Sequence, residues 1–589
     1  MCNKIIIIAI VLFFFGAVSL SGQTSFPEKN WNDIFNPLAN PNAVSGGTIS
    51  VFAGQYPKSL NYYLDNNVLS AEIFGAMFET LLTMNPVTLE YEPGLASNWI
   101  ISDDKKEFIF KIDKNAGWSD GSPITAHDVR FTYDVIMDEK NLTGAHKVDM
   151  ERFYPPVVVD EHTIIFKAKD VHWKNLGTAG GFHILSKKAL KDKDFNKVNF
   201  TFSLVSGPYQ IGKINEGIYI TLERRRSWWN RQAKRFKGTG NFQTIRFMFF
   251  AERENAFEAF KKRRIDLFPI YTSRIWINET KGNRFLKNWI IKQKIFNKKP
   301  VGFQGFAMNM RKPPFDDLKV RNAMAYLLDR RKMNSALMYD QYFLHRSYYE
   351  DLYSKDNPCP NVLFEMNKEK AGMLLKEAGW EVNPATGFLE KNNKRFSFRF
   401  LTRSASSEKF IAIYAEDLKD VGIELVIDKK DWASWARDMD EFNYQMTWAA
   451  WGAGIFKDPE GMWSSNEADR KGGNNITGFK SRQVDQLIEK QKVIFDVHKR
   501  NDICRKIDEI VYKNTPYVLL WNINYVRLLY WNKFGTTETV LSKYGDERSS
   551  FWYWWLDEDS VADLNDAVEY KTFLPQKHPR IYFEDIFGK

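Results

Sequence analysis

The sequence predicts an α/β protein. Three observations carry that expectation: a strand–helix–strand unit at 396–427, a strand followed by a capped helix at 303–328, and alternation of strand-like and helix-like segments along most of the remaining chain. In the first unit Phe396, Phe398 and Phe400 alternate as in a strand, a helical stretch covers 408–421, and Ile423, Leu425 and Ile427 alternate again. A connection of that length joins parallel strands through a right-handed crossover. In the second, Val320, Ala323, Met324, Leu327 and Leu328 recur at i, i+3, i+4, i+7 and i+8, the buried stripe of a helix. Asp316 and Asp317 stand where carboxylates cap free N–H groups and meet the positive end of the helix dipole. Residues 303–309 read as a strand, and Pro313-Pro314 forbids helix between the two.

The other elements follow in chain order. Residues 24–45 are polar and proline-containing and read as a loose lead-in, and 47–53 as a first strand. Residues 107–112, EFIFKI, alternate as a strand, and Trp118-Ser-Asp-Gly121 makes a turn. Thr125-Ala-His-Asp128 has the form of a capping box, opening a helix whose apolar face is Val129, Tyr133, Ile136 and Met137. After an Asn367 cap, Ala371, Leu374, Leu375 and Ala378 are spaced for burial on a helix that Gly379 stops. Helices at about 482–495 and 499–513 precede 516–531, which reads as strand in one or two segments. No internal repeat stands out.

Lys4 is followed by sixteen uncharged residues, Ile5 to Leu20, and then Ser21-Gly22. This pattern reads as a secretory signal over 1–22, cleaved between Ser19 and Gln23. An uncleaved anchor is the rival reading, but a span needs about 20 apolar residues. Cys2 stands too near the start to be a lipoprotein cysteine. The 589 residues allow two or three domains, and 44% apolar content supports large cores. Beyond the signal only Cys359 and Cys504 remain, either as one disulfide or as two thiols. The net charge of +10 is spread over local runs such as Arg224–Arg226 rather than one stripe, which argues against a nucleic-acid partner. Nineteen Trp and 15% aromatic residues suit both a core and a wall on which ligands stack.

Several stretches share their wording with one family. Asn309, the Pro-Phe-Asp-Asp run at 314–317, Val320-Arg321, Ala323 and Leu328-Asp329-Arg330 resemble a stretch of the family 5 extracellular solute-binding proteins, the peptide, dipeptide and nickel receptors of bacterial ABC importers. So, in order, do Gly94-Leu95-Ala96 with Trp99, Phe108 to Ile112, Trp118 to Pro123, Ala126 to Val129, Ser206-Gly-Pro-Tyr209, Ala256 to Phe268 with its Ile265-Asp266 pair, Lys370 to Trp380, and Asp417 to Leu425. The Trp-rich regions, with Trp448-Ala-Ala-Trp451-Gly-Ala-Gly454 and Phe551-Trp-Tyr-Trp-Trp555, resemble the oligopeptide and microcin C branch. The resemblance implies the type II, cluster C periplasmic binding fold: two α/β lobes joined by a hinge, the first with an extra subdomain. On this sequence lobe 1 would be 46–302 and 525–589, with the subdomain at about 84–204, and lobe 2 would be 305–522. Hinge closure around ligand is then the mechanism, and a membrane permease senses the closed shape.

The same resemblance implies where ligand sits. In peptide-binding members two strand segments, one per lobe, pair with the peptide backbone, which every peptide presents alike. The matching segments are 52–56, with Phe52, Gln55 and Tyr56, and 449–453, with Ala450 and Gly452. Trp451 falls at the family's cleft tryptophan, with core packing as its alternative role. Relatives carry an aspartate three residues later to pair with the ligand's α-amine; here that position is Gly454. Asp458 is the nearest acid downstream, either serving that amine or starting a turn with Pro459. The change favours a longer, blocked or modified peptide. Trp448, Trp463, Asn474 and Asn475 are further cleft candidates, as against turn and core residues.

Other functions lack their residues. There is no HExxH and no phosphate-cradling GxxxxGK[ST]. His162, His172 and His183 stand about ten apart, a spacing that neither a helix face nor a usual zinc site explains. The expectation is therefore a monomeric periplasmic receptor without cofactor, metal or enzymatic activity. It would bind an oligopeptide or modified peptide and work with a permease whose ATPase subunits are separate. An oligosaccharide receptor of the same family and a chaperone-like peptide binder are the alternatives.

Overall fold

The computed structural model describes residues 24–27, 31 and 34–587. The expected signal segment and its cleavage site lie outside the described residues. No helix of the described residues is long and apolar enough to cross a membrane.

Two large sheets organise the molecule. The first has eight strands: Arg580–Tyr582, Ile290–Phe296, Val526–Trp531, Leu267–Pro269, Thr48–Phe52, Thr244–Met248, Tyr219–Arg224 and Tyr209–Asn215, in that spatial order. One face joins a five-stranded antiparallel sheet, which includes Ala96–Ile101 and Glu107–Ile112, in a single core holding Trp99, Phe108, Phe110 and Tyr530. The other face packs on helix Arg253–Lys261 through Phe257, Phe260 and Phe268. The second large sheet has the order Glu424–Lys429, Ser397–Thr402, Met446–Trp451, Phe303–Met308, Tyr517–Leu519. Its first three strands are parallel, and Phe303–Met308 runs against both of its neighbours. Helices cover both faces, so its residues alternate between two cores: Phe306 and Met308 in one, Phe303 and Ala307 in the other.

The chain passes from the first large sheet to the second between Phe296 and Phe303, and returns between Leu519 and Val526. At the first passage a Cβ on Gly302 would collide with the Trp451 carbonyl oxygen, so only glycine lets the chain enter beside that strand.

The locally encoded elements form as expected. The βαβ unit is Ser397–Thr402, Ala405–Lys419 and Glu424–Lys429, with parallel strands. Helix Leu318–Tyr326 starts at Asp317, whose carboxylate accepts from Lys319 N–H at 2.8 Å. Helix Ala126–Met137 has the capping-box contact in which Asp128 accepts from Thr125 N–H at 3.0 Å. Asn367 caps Lys368–Glu377.

Three details correct the sequence reading. Within the lead-in, Thr24–Phe26 is an edge strand paired with 99–101, because Phe26 stacks on the buried Trp99 at 5.4 Å. A second helix, Arg330–Met338, follows at once, capped by Asp329. The stretch 516–531 divides into Tyr517–Leu519, Trp521–Asn522 and Val526–Trp531, which join three different sheets. Cys359, half-buried, and Cys504, buried, are free thiols.

Candidate functional site

The site is built from the edge of one strand. Gln304 accepts from Leu520 N–H at 2.9 Å, so even-numbered residues of Phe303–Met308 turn their backbone groups toward Tyr517–Leu519. Its odd-numbered residues face Thr447, Ala449 and Trp451. By the antiparallel alternation, Trp448 and Ala450 turn theirs the other way. There the parallel partner Ser397–Thr402 ends its ladder at the Leu401–Thr447 pair. Beyond that pair the exposed Ala450 presents an N–H and a C=O on an open edge, the arrangement that takes an added strand.

A cavity of about 630 Å³ lies against this edge, between 447–451 and the loop 402–407. Its walls are aromatic. Trp448 donates from Nε1 to Gln304 Oε1 at 3.1 Å and packs on Phe306 and Phe410. Trp451 donates from Nε1 to the Tyr517 hydroxyl at 3.1 Å, which fixes its indole while leaving the ring half-exposed. Arg403 lies 4.7 Å and 5.0 Å from the stacked rings of Trp432 and Trp435. The 15-residue helix Ala405–Lys419 begins at the cavity, with Ser404, Ser406 and Ser407 in its lining. The cavity can therefore hold an extended chain on the open edge, apolar side chains on the tryptophans, and an anionic group near Arg403 and the helix N-terminus.

The other expected residues are dispersed. Gly452 and Gly454 are exposed just past the strand. The Gly454 carbonyl accepts from Lys457 Nζ at 2.9 Å, and Lys457, only 5% exposed, also pairs with Asp351 at 2.5 Å. Asp458 pairs with Lys174, from the part of the chain that carries the eight-stranded sheet. Burial pushes its carboxyl up, but the Lys174 charge and hydrogen bond outweigh that and hold it below the usual range. Trp463 and Asn475 are interior residues rather than cleft residues. Trp463 is 1% exposed among Phe303, Tyr348 and Phe479, and the Asn475 amide donates to the Ser464 and Phe479 carbonyls. Asn474 is exposed.

Phe52, Gln55 and Tyr56 stand at the end of strand Thr48–Phe52 and do not line this cavity. Gln55 is exposed, and Tyr56 packs on Phe200 and Phe249. Phe52 is stacked on Phe268 with the Arg253 guanidinium 5.4 Å away. Sequence reasoning missed the neighbours there. Arg253 lies 4.4 Å from the Tyr271 ring, and the Tyr271 hydroxyl meets Glu547 at 3.2 Å. Burial and the Asp546 charge raise the Glu547 carboxyl. The Tyr271 carbonyl accepts from Tyr342, on the side of the second large sheet, at 3.0 Å, so this group sits where the two parts meet. Arg403, Trp435 and the serines were missed too; the polar Ser404-Ala-Ser-Ser407 run before a helix was their only signal. Among the described residues no group of three or more His, Cys, Asp or Glu could hold a metal ion.

The family profile described as bacterial extracellular solute-binding proteins, family 5 Middle, matches residues 90–473. The chain is 25% identical to the "Probable peptide-binding protein YejA" of Agrobacterium fabrum, over 91% of this chain and 93% of that one. Among solved structures, the oligopeptide-binding protein AppA from Bacillus subtilis in complex with a nonapeptide superposes with a TM-score of 0.69 at 22% identity, covering 87% of this chain and 100% of that one. DppA from Helicobacter pylori, an ABC transporter-associated periplasmic binding protein in complex with peptide STSA, does so with 0.68 at 21% identity, covering 87% and 99%.

Proposed function

Because the chain belongs to family 5 of the bacterial extracellular solute-binding proteins, we propose that it is the periplasmic receptor of an ABC importer and captures oligopeptides or modified peptides between two lobes. The observation that carries this reading is the open edge at Ala450 beside an aromatic cavity of about 630 Å³. A backbone edge reads the amide groups common to all peptides, and tryptophan walls accept varied side chains. The relative named as a peptide-binding protein supports it. A saccharide would use the tryptophans but not the edge, which is why the peptide reading is preferred.

In this reading residues 46–302 and 525–589 form lobe 1, with its subdomain at about 84–204, and 305–522 form lobe 2. Residues 1–22 direct export. The protein acts as a monomer, does no catalysis, and delivers cargo to a permease with separate ATPase subunits. Gly454 offers no acid to a ligand amine, and Asp458 is engaged by Lys174. The ligand is therefore long, blocked or modified at its amino end, in keeping with the oligopeptide and microcin C branch.

Native mass spectrometry of protein purified from the host periplasm tests this. Retained mass that fragments into peptides of several residues is the expected result. A discrete sugar without amino acids would overturn it.

A further inference from the structure

A second cavity, of about 240 Å³, lies wholly within the part of the chain built on the eight-stranded sheet. Its lining residues come from 36–94, His183, 208–240 and 552–553, none of them shared with the cavity beside Ala450. An engineered cavity of about 150 Å³ takes up benzene, so this one has room for a substituted ring. Its walls have the matching chemistry: Phe78, Trp228, Phe236 and Trp552 supply flat apolar surface.

The charge there is one-sided. Three guanidinium groups, Arg224, Arg225 and Arg231, line the cavity together with a single carboxyl, Glu79. Arg225 is 5% exposed. Its Nη1 donates to the carbonyls of Val205, Ser206 and Gly207 at 3.1, 3.0 and 2.6 Å, while its Nη2 has no partner. Glu79 accepts from Trp229 Nε1 at 2.8 Å, and burial pushes its carboxyl up to about 7, so near neutral pH it does not fully offset three cations. Burial, and after it the neighbouring Arg231 charge, hold Arg224 below its usual range.

We propose that this cavity is a second binding site, separate from the peptide cleft, for a small organic anion with a planar body, its carboxylate or equivalent group held by Arg224 and Arg231, with the buried Arg225 guanidinium adding positive charge to the wall. The ring lies among Phe78, Trp228 and Trp552.

The test is ¹⁹F NMR of the purified protein with three probes of one shape: 4-fluorobenzoate, neutral 4-fluorobenzamide and cationic 4-fluorobenzylamine. Saturable binding of the benzoate is expected, at least about tenfold tighter than either other probe, the loss of one good charge-assisted contact. Arg224→Gln with Arg231→Gln should weaken it by a similar factor while leaving the fold intact. Gly75→Leu gives a second variant: a Cβ there meets only His183, at 3.6 Å, and the added side chain fills the cavity. Trp451→Ala should leave benzoate binding unchanged, which separates this site from the cleft. Absence of saturable benzoate binding, equal binding of the benzamide, or benzoate binding untouched by both cavity variants would overturn the proposal.

Discussion

Lys174 forms an ion pair with Asp458, 284 residues away in sequence, and thereby ties the part of the chain carrying the eight-stranded sheet to the part carrying the second. The contact is not isolated. Trp173 donates from its backbone N–H to the Lys492 carbonyl at 2.9 Å and from Nε1 to Gln491 at 3.2 Å, and its ring lies 4.3 Å from the Arg500 guanidinium. Near the chain passages, Asn278 meets Tyr339 at 2.6 Å and Tyr342 meets Tyr271 at 3.0 Å. The two parts are thus joined both beside the passages and through the segment 173–174.

Removing this tie should loosen ligand binding without touching the cavity. Both side chains are about a quarter exposed, at 26% and 27%, so a coupling near the upper end for exposed pairs, about 1 kcal/mol, is reasonable. Lys174→Met shifts the balance toward an open form, and apparent peptide affinity falls roughly fivefold. Calorimetry reads the affinity and small-angle scattering the opening. If neither changes, the pair is not a latch. The Asp458 carboxyl is held below its usual range, so its contribution is present at neutral pH and is lost only as acid protonates it.

Stability should fall as pH rises through the neutral range. Burial raises Glu72 to about 8, with Asp546 and Glu547 adding to the shift and Arg548 opposing it. Burial also raises Glu79 to about 7. A carboxyl whose folded pKa is raised favours the fold fully below its unfolded value, and the advantage disappears as pH climbs through the folded value. The melting temperature should therefore drop between about pH 7 and about pH 9, above the range where the buried His172 and His183, held well below the usual imidazole value, act in the opposite sense. Glu79→Gln keeps an acceptor for Trp229 and removes the titration, so it should flatten that slope. An unchanged slope in Glu72→Gln and Glu79→Gln would refute the assignment.

What could be read in advance was local. The stripe and cap of Leu318–Tyr326 lie within one segment, as do the alternating phenylalanines of Ser397–Thr402. What could not be read depended on distant partners. Trp463 looks like a cleft tryptophan until Tyr349, 114 residues away, accepts its indole N–H and Phe303 stacks on its ring. Asp458 looks free until Lys174 reaches it. The strand Thr24–Phe26 exists only because 99–101 offers an edge and Trp99 a ring. Of the residues lining the candidate cavity, Trp448 and Trp451 stood out in the sequence, while Arg403 and Trp435 needed the fold to bring a loop and the helix Trp432–Asp440 to one cavity.

Arg330 should prove structural rather than ligand-binding. At 3% exposed, its Nη1 donates to the carbonyls of His345 and Leu519 at 2.8 and 2.9 Å, and Nη2 to Phe364 at 2.6 Å. It thus ties the start of helix Arg330–Met338 to the strand that leads back toward the first sheet. Arg330→Met fills similar space but leaves buried carbonyls without a donor, a loss of about 3 kcal/mol. Chemical denaturation should show the fall. A midpoint within about 0.5 kcal/mol of the parent would mean that water replaces the guanidinium.

The open edge makes the sharpest prediction about binding. Proline is tolerated in a strand where the lost N–H faces away from the ladder. By the alternation set at Gln304, Ala450 N–H points away from Phe303–Met308, so Ala450→Pro removes a donor that the fold does not use. The neighbouring Ala449 lies opposite Gly305 in the ladder, so Ala449→Pro is the contrasting variant. Ala450→Pro should leave the melting temperature nearly unchanged and weaken peptide binding about tenfold, the loss of one backbone hydrogen bond at a desolvated site. Ala449→Pro should lower stability by about 3 kcal/mol. Calorimetric titration with the cargo released from the native protein, beside thermal melts of both variants, checks the pair of outcomes. Full affinity in Ala450→Pro would show that ligand does not extend the sheet at this edge.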